Sequence, residues 1–162
     1  MARSTKHAAL ICSIATVLTL AGIAAGIYFK MPVIVIAGLL PAVVYEAYRT
    51  EGVSTIWASW GMLIVLVIEA VFIIKKININ IADLASKYIP GLPALDIKLG
   101  APVVMAWFCY ILIRRTAGIY TKWLAVVILI GALGLFYALD PSLFNKFAGE
   151  GLREGLNRIP VK

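Results

Sequence analysis

Few residues in this chain have the types that do chemistry, and the foremost is Glu69. It stands inside Trp57–Ile74, WASWGMLIVLVIEAVFII, a stretch with no other charge. Its 18 residues, at ~1.5 Å each, make a helix about 27 Å long, close to the ~30 Å hydrocarbon core of a bilayer. A carboxylate in that setting is costly, so it marks a packing contact, an ion pair, or a proton or cation site. As a packing contact it would hydrogen-bond Thr16, Thr19, Tyr45, Tyr110 or a backbone carbonyl opened by Pro41. As an ion pair it would need Lys76, which should snorkel outward, or a cation from another subunit. As a transport site it would need further polar groups along a path. Its own helix offers only Ser54, Thr55 and Ser59, at the opposite end. The face through Ala58, Met62, Val65, Glu69 and Phe72 suits a packed seam better than a water-filled pore.

No second constellation completes a catalytic set. His7 is the only histidine and lies in the N-terminal tail, which argues against haem, zinc, copper or iron held by this chain alone. Cys12 and Cys109 lie in apolar stretches without C-x-x-C spacing and read as small buried hydrophobes. Glu46, Glu51, Asp83, Asp96, Asp140, Glu150 and Glu154 fall in loops, helix ends or the tail. Glu46 and Arg49, three apart, are expected to form a solvated pair at the interface. The expectation is a protein with no catalytic residues, no cofactor and no metal.

Composition names the solvent. Hydrophobic residues make up 62% and charged residues 14% of 162, and the mean hydropathy is +0.97. A soluble chain would carry about 25% charged residues. The expected class is an all-α polytopic integral membrane protein, in contact with the lipid bilayer through most of its surface. The net charge of +7 is scattered and forms no patch for nucleic acid. It reads as topogenic charge and as attraction to anionic lipid.

The elements that must position Glu69 follow from hydropathy and breakers. Spans are expected at about 8–29, 32–48, 54–74, 98–115 and 120–139. Together residues 1–139 form a transmembrane domain, followed by an amphipathic tail over 140–162. The first segment has the basic start of a signal peptide but is long enough to span, and reads as a retained helix. Ala8, Cys12, Ala15, Thr19, Gly22 and Gly26 recur at spacings of four and three, a small-residue seam that allows close helix approach in lipid. Gly131, Gly134 and Ala138 do the same on the fifth span. Gly38 and Pro41 are expected to kink the second span, with a re-entrant loop as the alternative. Trp57 and Trp60 mark one interface of the third span, and Lys75 and Lys76 the other. Residues 80–89 read as an interfacial helix, ended by Pro90-Gly91-Leu92-Pro93. Arg114 and Arg115 close the fourth span.

The functional expectation is a small non-catalytic subunit that packs into a larger membrane complex, or against copies of itself, with Glu69 fixing register. The alternative is a channel or transporter subunit that uses Glu69 for ions or protons. The basic Arg114–Lys122 hairpin, which has no acid, points to a cytoplasmic N-terminus in a bacterial inner membrane.

Overall fold

The computed structural model describes residues 7–50, 52–77, 96–116, 118–146 and 149. The fold is a bundle of five membrane-spanning helices: α1 (Ala8–Tyr28), α2 (Pro32–Arg49), α3 (Val53–Ile74), α4 (Gly100–Arg115) and α5 (Ile119–Leu139). A 3₁₀ turn, Ile97–Leu99, leads into α4. The described residues contain no strand. The expected interfacial helix at 80–89, and the tail beyond 149, lie outside the described residues. Residues 141–146 are helical.

Local chemistry explains the breaks. Pro32 opens α2 at the first turn, where a missing N–H is not needed. α1 and α3 both end on a lysine in the left-handed region, Lys30 at φ 54° and Lys76 at φ 52°. In each case the next amide turns back into the helix, Met31 N to Gly26 O and Ile77 N to Phe72 O, both at 2.9 Å. Asp140 closes α5 and caps the turn that follows. Its Oδ1 accepts from the Ser142 and Leu143 amides at 3.0 and 3.1 Å and from the Ser142 hydroxyl at 2.6 Å.

The helices form a ring in chain order, α1 touching α2, α2 touching α3, and so on to α5, which closes on α1. α2 and α5 also touch across the middle. The ring is thereby divided into a three-helix part, α1–α2–α5, and a four-helix part, α2–α3–α4–α5.

Glycine packs the three-helix part. The buried residues of α1 are Ala8, Cys12, Ala15, Thr19, Gly22 and Gly26, and they face this chain's own helices. A Cβ on Gly22 would lie 2.7 Å from the Gly38 Cα, and one on Gly38 would lie 2.7 Å from the Gly22 Cα. Gly26 abuts Val35, Gly131 abuts Leu39 and Thr19, and Gly134 abuts Ile23. The small-residue seam of α1 was expected first to pack against a neighbouring helix of the same chain, with a seam between copies as the alternative, and Gly22 and Gly26 do lie against α2.

The second helix runs unbroken through Pro41 from Pro32 to Arg49, so it spans rather than re-enters. The Thr19 hydroxyl donates to Ala15 O at 2.9 Å and lies 3.3 Å from Gly38 O, a polar contact one turn before the proline.

Candidate functional site

The four-helix part holds the polar interior. On α3 the buried residues include Thr55, Ala58, Ser59, Met62, Leu66 and Glu69, one stripe at helical spacing. α4 runs antiparallel to α3. The Cys109 thiol donates to the Met62 thioether at 3.6 Å, Phe108 lies against Gly61, and Lys98 is near enough to act on Glu69. The stripe therefore has a polar station at each end and apolar side chains between.

The first station surrounds Glu46. The sequence suggested a solvated Glu46–Arg49 pair; both are buried instead, Glu46 at 0% and Arg49 at 5% exposure. The reason is tertiary. The last turn of α2 is enclosed by the starts of α1, α3 and α5 and the end of α4, so the interface does not reach it. Thr50 donates from its hydroxyl to Glu46 Oε1 at 2.9 Å and to the Glu46 carbonyl at 2.8 Å. The Arg49 guanidinium charge acts on Glu46, hydrogen-bonds the Cys12 thiol, and lies 5.1 Å from the Tyr120 ring centroid. Glu46 Oε2, Ser59 Oγ and Thr121 Oγ1 are buried without a hydrogen-bond partner among the described residues. The Cys12 and Cys109 thiols are buried and unoxidised, and both feel the Glu46 charge. Among the described residues no group of three or more His, Cys, Asp or Glu side chains could hold a metal ion.

The second station is Glu69, 2% exposed, with Oε1 unpartnered among the described residues. Three of its expected hydroxyl partners, Thr16, Thr19 and Tyr110, are engaged elsewhere or exposed. Thr16 donates to Cys12 O at 2.7 Å and accepts from the Trp123 indole N–H at 3.1 Å. Thr19 serves the α1–α2 contact, and Tyr110 is exposed. The charges that act on Glu69 are Lys98 and Asp96, from the 3₁₀ turn and its cap. Lys98, at the expected start of the fourth span, has a side chain only 13% exposed, with its Nζ 3.8 Å from Asp96 Oδ2. Lys75 and Lys76 lie at the same end of the bundle.

Between the stations, Met62, Leu66 and Met105 are each 0% exposed. Counting helix rises of ~1.5 Å per residue, the two carboxylates are roughly 15 Å apart along the bundle axis. The arrangement places one buried carboxylate toward each end of the bundle, with buried apolar side chains separating them. Residue spacing alone did not reveal Glu46, because three residues from a helix end looks like an interface. A polar triplet of Glu46, Arg49 and Thr50 at helical spacing, matched by Thr55 and Ser59 across a short turn, was the available signal.

Among the described residues the basic side chains divide by end. Arg49, Arg114, Arg115 and Lys122 share the end where α1 begins; Lys30, Lys75, Lys76, Lys98 and Lys146 share the other. Arg114 lies 5.5 Å from the Tyr110 ring centroid on the lipid-facing side. Trp57, Trp60 and Trp123 are exposed toward the end where α1 begins, as aromatic anchors at membrane interfaces are; Trp107 is exposed at the middle of α4. The chain matches no protein-family model, and comparisons with curated proteins and with solved structures gave no match.

Proposed function

We propose that this chain is a small transport protein that moves protons or small monovalent cations across a membrane, with Glu69 and Glu46 as its two stations. One observation carries the reading: both carboxylates are buried, and each keeps an oxygen without a hydrogen-bond partner among the described residues. A structural acid is expected to have its oxygens satisfied, since leaving one orphaned costs ~1–3 kcal/mol. Intramembrane acids that persist at such a cost mark ion pathways and proton relays. The Met62–Leu66–Met105 plug makes the observed conformation a closed one, which opens by hydration or by a shift of α3 against α4.

The reading is non-enzymatic and needs no cofactor. The accessory-subunit reading is the competing outcome. It drew on the small-residue seams, and Gly22, Gly26, Gly131 and Gly134 now face the chain's own helices. The orientation proposed is N-terminus inside, in a bacterial plasma membrane, supported by the acid-free hairpin from Arg114 to Lys122.

The test is flux through the purified chain in liposomes, followed with a pH dye and with potassium or sodium indicators. Glu69→Gln keeps size and hydrogen bonding but cannot titrate, and should cut flux by about tenfold or more, the usual mark of a lost relay group. Wild-type flux equal to that of empty liposomes sinks the transport reading. If in addition Glu69→Ala dissolves a co-purifying complex, the accessory-subunit reading takes its place.

A further inference from the structure

One face of α4 looks out of the bundle and carries more than hydrocarbon. Val103, Trp107, Tyr110 and Arg114 follow one another at spacings of four, three and four, which puts them in a single stripe along the helix. All four are exposed, while Met105, Cys109 and Leu112 turn the opposite face into the core. Trp107 is the unusual member. Tryptophan collects at the membrane interface, where its ring is in apolar surroundings and its N–H meets water. This one is 64% exposed midway along α4.

The stripe is ordered by contacts within itself. The Trp107 and Tyr110 ring centroids lie 6.1 Å apart, with the planes tilted by 37°, and the Arg114 guanidinium carbon lies 5.5 Å from the Tyr110 centroid. The cation–π contact fixes the guanidinium beside the rings without cancelling its charge. Arg114 is in the last turn of α4, and the Trp107 backbone lies about 10 Å deeper, at ~1.5 Å per residue. The result is an aromatic strip in the hydrocarbon layer with a cation at its outer end. Among the described residues, the exposed charges at that end of the bundle are Arg114, Arg115 and Lys122, all positive.

An occupant of the stripe must be apolar along the rings and negative at the helix end. A second copy in the same membrane orientation, related by a two-fold axis beside the stripe, would set Arg114 against Arg114 in repulsion. An anionic phospholipid meets both demands at the right depths, with a phosphate for the guanidinium and acyl chains for the rings. We propose that the Trp107–Tyr110–Arg114 stripe binds one anionic phospholipid, its phosphate on Arg114 and an acyl chain along Tyr110 and Trp107. The site does not depend on the transport reading above.

The test uses tryptophan fluorescence of the full chain in phosphatidylcholine vesicles. A minor fraction of the lipid is brominated on an acyl chain, as either phosphatidylglycerol or phosphatidylcholine, and bromine quenches on contact. One protein keeps only Trp107 and another only Trp123, with the remaining tryptophans replaced by phenylalanine. Trp123 is exposed at the same end of the bundle but on another helix, where its indole N–H donates to Thr16 of α1. Phosphatidylglycerol should occupy the place beside Trp107 about fivefold more tightly than phosphatidylcholine, the ratio that one arginine near anionic lipid supplies. Trp123 should show no such preference. Arg114→Gln should abolish the preference at Trp107, and Arg114→Lys should keep most of it. An equal preference at both tryptophans would mean diffuse attraction to a basic end, and overturns the site. So does a preference at Trp107 that survives Arg114→Gln. Quenching by neither lipid would mean that protein covers Trp107, and overturns it in favour of a second copy or another chain. Should the phenylalanine replacements unfold the protein, native mass spectrometry of the wild type decides: given both lipids, it should retain one phosphatidylglycerol that Arg114→Gln loses, and equal retention of the two lipids overturns the site.

Discussion

The two buried carboxylates occupy opposite ends of one four-helix compartment and are held very differently. Glu46 is built in: Thr50 donates to it at 2.9 Å, Arg49 supplies a buried positive charge, and three helix starts enclose it. Glu69 receives no comparable support; the charges acting on it come from a short turn bordering an open cavity. Glu46 therefore has a structural share as well as a proposed functional one. Glu69 weakens the fold at its position, and its value lies in what it binds or passes on.

Replacement by leucine gives the sharpest test of that contrast. Glu46→Leu strands Arg49 in the bundle without its neighbouring carboxylate, and should cost about 3–5 kcal/mol in detergent unfolding. Glu69→Leu removes an orphaned oxygen and fills the space with carbon, so it should be neutral or stabilise by up to ~1–3 kcal/mol, while flux is lost. Equal destabilisation by the two would erase the distinction.

The three-helix part provides the next largest effect. Gly22→Ala pushes a methyl to 2.7 Å from the Gly38 backbone, which cannot rotate away, and should cost about 1–3 kcal/mol. Gly134→Ala meets only Ile23 side-chain atoms, the nearest at 2.9 Å, and should cost less. Gly100→Ala meets nothing within 4 Å and should be harmless or gain a few tenths of a kcal/mol from helix propensity, up to ~1. Thermal unfolding of the three proteins ranks them directly. A tolerant Gly22 would mean that the three-helix part is no tighter than the four-helix part.

Smaller effects refine the Glu46 end. Tyr120→Leu removes the ring lying 5.1 Å from Arg49 and should cost ~0.5–2 kcal/mol. The loss should shrink in a Glu46→Leu background, where Arg49 is already displaced, as a double-mutant cycle would register.

The smallest prediction concerns the Glu69 end and pH. Hydrogen bonds from the Ser142 hydroxyl and the Leu143 amide hold the Asp140 carboxyl below its usual range. A carboxyl depressed in the folded state adds stability above its unfolded value, ~3.9, and loses it as pH falls through the lower folded value. Protection of the 141–146 amides, after correction for the intrinsic exchange rate, should therefore fall below about pH 4 and stay level in Asp140→Asn. Because Asp140 stays partly exposed, the change should be slight.

Particular residues show how far the sequence could be read. Continuous hydropathy and the breakers at Lys30, Glu51-Gly52 and Thr116–Gly118 placed all five spans to within two residues, because lipid imposes one length on every crossing segment. The buried face of α1 was equally visible, since spacings of four and three follow from helix geometry alone. Which surface filled that seam was not visible. A glycine stripe fits a partner subunit and a neighbouring helix equally well, and only the approach of Gly38 to Gly22 decides between them. The burial of Glu46 was hidden for a similar reason: a residue near a helix end is solvated or enclosed according to which other helices surround that end.

By itself, then, the sequence determined the solvent, the number and length of the spans, and the presence of one costly acid in α3. Those are local properties, set by the free energy of placing each side chain in hydrocarbon. The tertiary structure alone decided that Glu46 and Arg49 are interior, how closely Gly22 approaches Gly38, and that Lys98 folds in beside Asp96. Each depends on which helices become neighbours, and therefore on contacts between residues far apart in the chain.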